Sequence, residues 1–241
     1  GNPDLEGDTN FVDLPGAREE AGAVRDLLRG HVPAGDVVDL IDAKAADIVA
    51  ALHRRPWRVL HLAGHGEHRF SATPGAPPMS GMVIGQGTFL TPGDVAQMRT
   101  VPELVFINCC HLGKTGGAPG GRRFGELAAN LGAQFIRHGV RAVVCAGWAV
   151  DDAAAKTFAT TFYAELFAGR SFRSAVKQAR RAAWEQHPGV NTWGAYQCYG
   201  DPGFRLVREG TGLDRVAPPA FFAPSELATE LALSAFGKRI L

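Results

Sequence analysis

The chain has 241 residues, and its 25 lysines and arginines nearly balance its 24 aspartates and glutamates. Because the basic residues are scattered and form no stripe, the composition argues against nucleic acid as a direct partner. Four irregularly spaced cysteines, no signal peptide and no long apolar span favour a cytoplasmic protein with free thiols over a disulfide-linked or membrane protein. The excess of arginine over lysine is typical of a GC-rich bacterial genome. A chain of this length buries a large core, so no cofactor is expected to be needed for folding.

Short apolar runs alternate along the chain with helical patterns. Runs rich in valine, isoleucine and leucine predict buried parallel strands at residues 36–41, 58–63, 103–108 and 140–147. A small hairpin is predicted at residues 82–90, and a last strand at residues 193–200 closes the sheet.

Five segments carry apolar residues at spacings of three and four, which predicts amphipathic helices. They are residues 16–30, 44–54, 123–139, 151–169 and 171–187. Asp151 or Asp152 and Ser171 are the predicted N-caps, and Gly139 and Gly169 follow predicted C-termini. This alternation of strands and helices predicts a doubly wound sheet with helices on both faces.

Both ends of the sequence predict a longer parent protein. The chain starts at Gly1 without a methionine and without the apolar strand that normally leads into a Gly-Asn-Pro turn, so a first strand is expected upstream. Residues 1–210 are predicted to form one domain. Residues 211–241 form a proline-containing connector and a helix, which we expect to lead to a further domain or partner.

Residues 104–117, LVFINCCHLGKTGG, run from an apolar strand into a glycine-rich loop and suggest three chemistries. A phosphate loop is disfavoured because the first glycine of its pattern falls on Asn108. A zinc site is disfavoured because its candidate ligands include no CxxC pair. Those candidates are His61, His65, His68, Cys109, Cys110 and His111. The third chemistry is that of a cysteine nucleophile.

The nucleophile hypothesis depends on where two side chains fall in the predicted sheet. His65 and Cys110 each follow a parallel strand, and ligands bind outside the carboxyl ends of such strands. A thiol beside an imidazole is an activated nucleophile. Because side chains alternate along a strand, Cys109 and Cys110 cannot both face this edge, and the residue further past the strand end is preferred. A buried core thiol is the favoured role of Cys109 and stays an alternative for Cys110.

The segments VLHLAGHG, LVFINCCHLG, residues 139–180 and WGAYQCYGDPGFRL together resemble the CHAT family, caspase-like cysteine peptidases related to caspases and separase. The resemblance runs in order from about Leu14 to Leu206. It implies a caspase-like three-layer α/β/α sandwich with a mostly parallel central sheet and a Cys/His dyad, here Cys110 and His65. The sequence departs from the family pattern around the nucleophile, where Cys109 and His111 replace a small and an acidic residue.

The resemblance implies acyl transfer on a protein or peptide substrate. Cys110 would attack the carbonyl and His65 would move the proton, while the backbone N–H groups of Gly66 and Cys110 hold the oxyanion. No third residue that would complete a catalytic triad stands out. His65, in a loop at a strand end, is expected to have little packing to lose.

The resemblance to separase implies a pocket for a basic residue before the cleaved bond, lined by an acidic residue that follows a tryptophan. Asp152 is the first choice for this role and Asp151 the second, and helix capping is the alternative for either. Trp148 and Trp193 are candidate walls of the pocket, with the core as the favoured role of Trp193.

Several alternatives remain open at the level of the sequence. Cleavage after aspartate would need a cation in the pocket, for which Arg54, Arg55 and Arg122 are candidates. The chain could also be an inactive caspase-like interaction module, or a small-molecule hydrolase, although the GxSxG motif of such enzymes is absent. Residues 113–123 predict a mobile glycine-rich loop. A latent bacterial effector of signalling or antiviral defence, switched on by a regulatory domain or activator protein, is therefore expected.

Overall fold

The computed structural model describes residues 1–8, 10–70, 79–98, 100–109 and 132–207. The described helices are α1 (Pro15–Arg29), α2 (Ala45–Arg54), α3 (Pro92–Ala96), α4 (residues 132–137), α5 (Asp152–Phe167), α6 (Phe172–Gln186) and α7 (Thr192–Ala195). The described strands are β1 (Val59–Ala63), β2 (Gly66–Phe70), β3 (Met79–Gly85), β4 (Thr88–Leu90), β5 (Leu104–Asn108), β6 (Ala142–Ala146) and β7 (Tyr196–Gly200).

The central sheet has the strand order β1-β5-β6-β7. Strands β1, β5 and β6 are parallel, and β7 pairs with β6 in the antiparallel direction. The prediction of a mostly parallel sheet closed by a last strand is confirmed. In the β1–β5 ladder Ala63 lies opposite Asn108, so the carboxyl ends of these two strands are level with each other.

Strand β5 shows why the sheet carries helices on both faces. Its side chains alternate between two apolar cores, with Leu104 and Phe106 in one and Val105 and Ile107 in the other. The first core is built with α1, α5 and α6. The second core is built with α2, α4 and the β3–β4 hairpin. The predicted three-layer α/β/α sandwich is confirmed.

A second sheet, with the order β2-β3-β4, is antiparallel. The β3–β4 hairpin agrees with the predicted hairpin at residues 82–90. Strand β2 was not predicted because its sequence, GEHRF, lacks an apolar run. It begins directly after His65, so this small sheet adjoins the carboxyl end of β1.

The predicted strand at residues 36–41 is wrong. Ala34–Asp36 is a short 3-10 helix, and the residues after it belong to no strand. A cavity of about 650 Å³ is lined both by this run, including Val37, Val38 and Leu40, and by the β1 edge, including Leu60. The Gly1 amine donates to the Leu40 carbonyl of this run, and the N–H of Asp42, just after the run, donates to the Gly1 carbonyl. Among the described residues, no strand pairs with the run. An apolar run without a paired neighbour does not satisfy the definition of a strand.

The predicted helix ends agree with the structure where it describes them. Asp151 and Ser171 are N-caps whose side chains accept backbone N–H bonds, and Gly139 and Gly169 have positive φ. The first residues of the predicted last strand form α7 instead. The N-terminal part of the predicted helix 123–139, the loop 113–123 and residues 211–241 lie outside the described residues.

No helix in the described ranges is both long and apolar enough to cross a bilayer.

Candidate active site

The carboxyl ends of β1 and β5 are joined by backbone contacts around His65. The Gly64 N–H donates to the Asn108 carbonyl at 3.1 Å. A Cβ atom at Gly66 would lie 2.1 Å from the Cys109 carbonyl oxygen, so only glycine fits here. His65 therefore stands between two glycine-mediated contacts with the end of the strand that leads to Cys110.

His65 is held by a backbone carbonyl. Its Nε2 lies 2.6 Å from the carbonyl oxygen of Val12, and its ring centroid lies 5.2 Å from that of Phe11. Since a carbonyl can only accept, Nε2 carries the proton in the neutral imidazole, and Nδ1 carries the lone pair that a base needs. The partner that orients His65 is thus a main-chain atom, which no side-chain pattern in the sequence could have indicated.

The expectation that His65 has little packing to lose is wrong. The residue is only 3% exposed. The segment before α1 covers it and supplies both the aromatic contact and the carbonyl. A loop residue at a strand end becomes buried when another segment folds over the edge of the sheet.

Asn2 holds the covering segment in place. It is buried, and its side chain donates to Asp13 and Asp42 and accepts from the Leu14 N–H. Hydrogen bonds from Asn2 and Arg18 lower the pKa of Asp13, and the Arg18 guanidinium lowers the pKa of Asp42. Both carboxylates therefore stay ionised at neutral pH, and these cross-links keep the segment closed over His65.

Cys110, the predicted nucleophile, lies outside the described residues. Its neighbour Cys109 is 4% exposed and packs in the core between α2 and the sheet, as predicted for a structural thiol. Cys145 is also buried, and burial raises the pKa of Cys198 to about 12. The described cysteines are thus protected from chemistry at neutral pH.

Gly66 has the backbone geometry that an oxyanion donor needs. It pairs with Met82, and the Val83 N–H donates to the His65 carbonyl at 2.9 Å. In an antiparallel ladder this pattern makes Gly66 and Met82 a non-hydrogen-bonded pair, whose N–H groups point away from the partner strand. The Gly66 N–H is therefore not used by β3. Its role in an oxyanion hole with Cys110 stays a prediction.

Asp151 and Asp152 follow β6 at the same edge and have different surroundings. The Asp151 side chain accepts from the Ala154 N–H at 2.9 Å and caps α5. The Asp152 carboxylate is exposed and abuts Gly16 in the first turn of α1, where a Cβ would lie 2.0 Å from the Asp152 Cγ. The partial positive charge of a helix N-terminus stabilises a carboxylate there. Asp152 thus lies beside the segment that anchors His65, whereas Asp151 is committed to its helix.

The two tryptophans of this region lie partly at the surface. Trp148 follows β6, is half-buried and lies against Gly194, 3.5 Å from the position of a Cβ there. Trp193 is 44% exposed, so its predicted place in the core is wrong. The residue occupies the short helix α7, outside the strand that would have buried it. Both rings are available to form an aromatic surface near the end of β6.

Of the arginines considered for an acidic substrate residue, the two that the structure describes do not reach this edge. Arg54 ends α2 and Arg55 follows it, on the amino-terminal side of β1, whereas His65 follows its carboxyl end. Arg55 lies over the Trp57 ring at 4.4 Å and donates to the Gly35 carbonyl. Arg122 lies outside the described residues.

The described residues contain no group of three or more histidines, cysteines, aspartates or glutamates that could hold a metal ion. Of the zinc candidates, His61 contacts Glu20 and Tyr163 inside the core, and His65 is bound to Val12.

The structure places a histidine at the carboxyl edge of a parallel sheet, beside the strand that leads to two adjacent cysteines. Together with the three-layer sandwich, this arrangement is that of the caspase-like class. The family model of the CHAT domain matches residues 1–201, and the chain belongs to that family. No curated protein matches the chain.

Proposed function

We propose that this protein is a cysteine endopeptidase that cleaves a protein or peptide substrate through Cys110 and His65, after a basic residue. The observation that carries the proposal is the state of His65. It is buried, oriented through Nε2 by the Val12 carbonyl and placed beside the end of β5. A histidine in this arrangement keeps the Nδ1 lone pair for a proton from a neighbouring thiol.

The reaction follows from these roles. His65 removes the thiol proton of Cys110, and the sulfur attacks the substrate carbonyl carbon to form a tetrahedral oxyanion. The imidazolium then gives its proton to the leaving amine as the C–N bond breaks, which leaves a thioester. Water, deprotonated by His65, hydrolyses the thioester and restores the thiol. The Gly66 and Cys110 N–H groups stabilise both oxyanions.

A peptidyl electrophile tests the proposal directly. Peptide chloromethyl ketones that differ only in the residue before the warhead, arginine or aspartate, are incubated with the protein, and mass spectrometry locates the adduct. We expect rapid modification of Cys110 by the arginine reagent, and no modification of Cys109, Cys145 or Cys198, because the described thiols are buried or have a raised pKa. An interaction module without activity would give no adduct, and preference for the aspartate reagent would contradict the specificity.

The proposed specificity predicts a large effect of Asp152→Asn. Removing the charge while keeping the shape should lower kcat/KM for an arginine peptide about 10- to 100-fold relative to a glutamine peptide, since each tenfold corresponds to ~1.4 kcal/mol of transition-state binding. The matched variant Asp151→Asn should leave this ratio within about twofold, because asparagine is as good an N-cap. An unchanged ratio in Asp152→Asn would exclude this residue as the pocket acid.

A further inference from the structure

Glu20 is a carboxylate buried in the core. It lies on α1, is 1% exposed, and shares its face of the helix with Ala21 and Val24. Removing a carboxylate from water is strongly unfavourable unless partners compensate for the lost hydration. The residues around it therefore show what holds it there.

Its partners form one polar row through the sandwich. The Asn108 side chain donates through Nδ2 to Glu20 Oε2 at 2.5 Å, and His61 Nε2 lies 3.1 Å from Glu20 Oε1. On the far side of the ring, His61 Nδ1 lies 3.2 Å from the Tyr163 hydroxyl. Burial, together with the charge of Glu20, raises the pKa of Tyr163, so the hydroxyl stays protonated at neutral pH. The His61 ring is thus flanked by Tyr163 on one side and Glu20 on the other, while in the described part of the chain His61 Nε2 and Glu20 Oε1 have no hydrogen-bond partner.

This row ends at the edge of the sheet where the candidate active site lies. Asn108 is the last residue of β5, two positions before Cys110, and its carbonyl accepts from the Gly64 N–H beside His65. Glu20 and Val12 are eight positions apart in a continuous segment that leads into α1. Helix α1, whose Glu20 binds the Asn108 side chain, is thus continuous in sequence with the segment whose Val12 carbonyl binds His65.

Stability alone does not account for the row. Replacing buried ionic groups by apolar residues of similar volume is often neutral or stabilising. The row also leaves Asn108 Oδ1 buried without a hydrogen-bond partner in the described part of the chain, which an apolar residue would avoid. Apolar residues of similar volume would not provide a directional hydrogen bond between α1 and the end of β5.

We propose that Glu20, acting through Asn108, is a positioning residue that fixes the end of β5, two residues before Cys110, relative to His65. This inference rests on the proposed function. Glu20 does not touch the substrate. Its effect is on the distance and direction between the thiol and the base, on which the rate of a proton transfer depends steeply.

The test uses the full 241-residue chain and two assays. One measures kcat and KM on an arginine peptide, and the other measures the rate at which iodoacetamide alkylates Cys110, located by mass spectrometry. Glu20→Gln keeps the shape of the side chain but removes its charge and one of its two acceptor oxygens, so the charge-assisted hydrogen bond from Asn108 is lost. We expect kcat to fall about 10- to 100-fold with KM within about twofold, and alkylation of Cys110 to slow about tenfold. Glu19→Gln, which changes the adjacent exposed glutamate paired with Lys156, should match the wild type in both assays.

A second variant separates positioning from packing. Glu20→Met combined with Asn108→Leu fills similar space without the carboxylate and its amide partner and leaves the His61–Tyr163 contact in place, so it should remain folded in a thermal unfolding assay and still be as slow as Glu20→Gln. Wild-type rates in this double variant would overturn the inference. If the wild type alkylates no faster than His65→Ala, the proposed function fails. If the wild type is fast and Glu20→Gln is equally fast, only the positioning role fails.

Discussion

Replacing Cys110 with alanine is expected to lower peptide cleavage by at least about 10⁴-fold, because no other group can form the thioester. The variant removes a single sulfur atom, and any residual turnover would come from binding and the oxyanion donors alone. The measurement is kcat/KM on an arginine peptide, together with thermal unfolding to show that the fold is retained.

Cys109→Ala is the matched control for this experiment. Cys109 is adjacent in sequence, has the same side chain, and is buried in the core. Its removal should cost about 1 kcal/mol of unfolding free energy, as is usual for a small core truncation, and leave kcat within about threefold. Equal losses of activity in the two variants would show that the nucleophile is misassigned.

His65→Ala carries the second large effect, and here two quantities should change together. Loss of the base should lower kcat about 10²- to 10⁴-fold. Because His65 is buried against Phe11 and bonded to Val12, the same change leaves the part-buried Val12 carbonyl without its donor and should reduce stability by about 1–3 kcal/mol.

His65→Gln separates the two effects. The glutamine amide can donate to the Val12 carbonyl but cannot take a proton, so we expect stability near the wild type and activity as low as in His65→Ala. Cleavage by either variant at more than about a tenth of the wild-type rate would reject His65 as the base. A stable His65→Ala would show that the Val12 contact contributes little to the fold.

Much of the architecture could be predicted because buried parallel strands have a simple composition. The β5 run, four apolar residues ending in Asn108, packs both of its faces and has no polar alternation to confuse it with a surface strand. The same logic identified β1 and β6 and predicted His65 and Cys110 at one edge. Once composition identifies the parallel strands, the residues that follow them can be assigned to one edge of the sheet.

The anchors of the site could not be predicted because they depend on contacts distant in sequence. A carbonyl such as that of Val12 is present at every position, so its contact with His65 leaves no trace in the sequence. Glu20 is a partial exception, since its spacing of four from Val24 places it on the buried face of α1. An acidic residue on an apolar face was the signal that could have been used.

Two of the contradicted predictions, the strand at residues 36–41 and the core position of Trp193, have a common physical origin. Residues 36–41 have the composition of a strand, and Trp193 has that of a core residue, but burial is decided by what lies alongside. The first run lacks a paired strand beside it, and Trp193 falls in a short helix at the surface. Composition indicates which environments a residue can occupy, but the neighbouring segments of the fold determine whether it is paired or buried.

At position 12 the main chain, which orients His65, and the side chain have different environments. The Val12 carbonyl points inward to the imidazole, while the residue as a whole is 40% exposed. A backbone acceptor does not titrate and is present in every amino acid, so the orientation of His65 does not depend on which side chain stands at position 12. Position 12 is therefore a suitable attachment point for a fluorophore or crosslinker, close to His65 without altering the hydrogen bond that orients it.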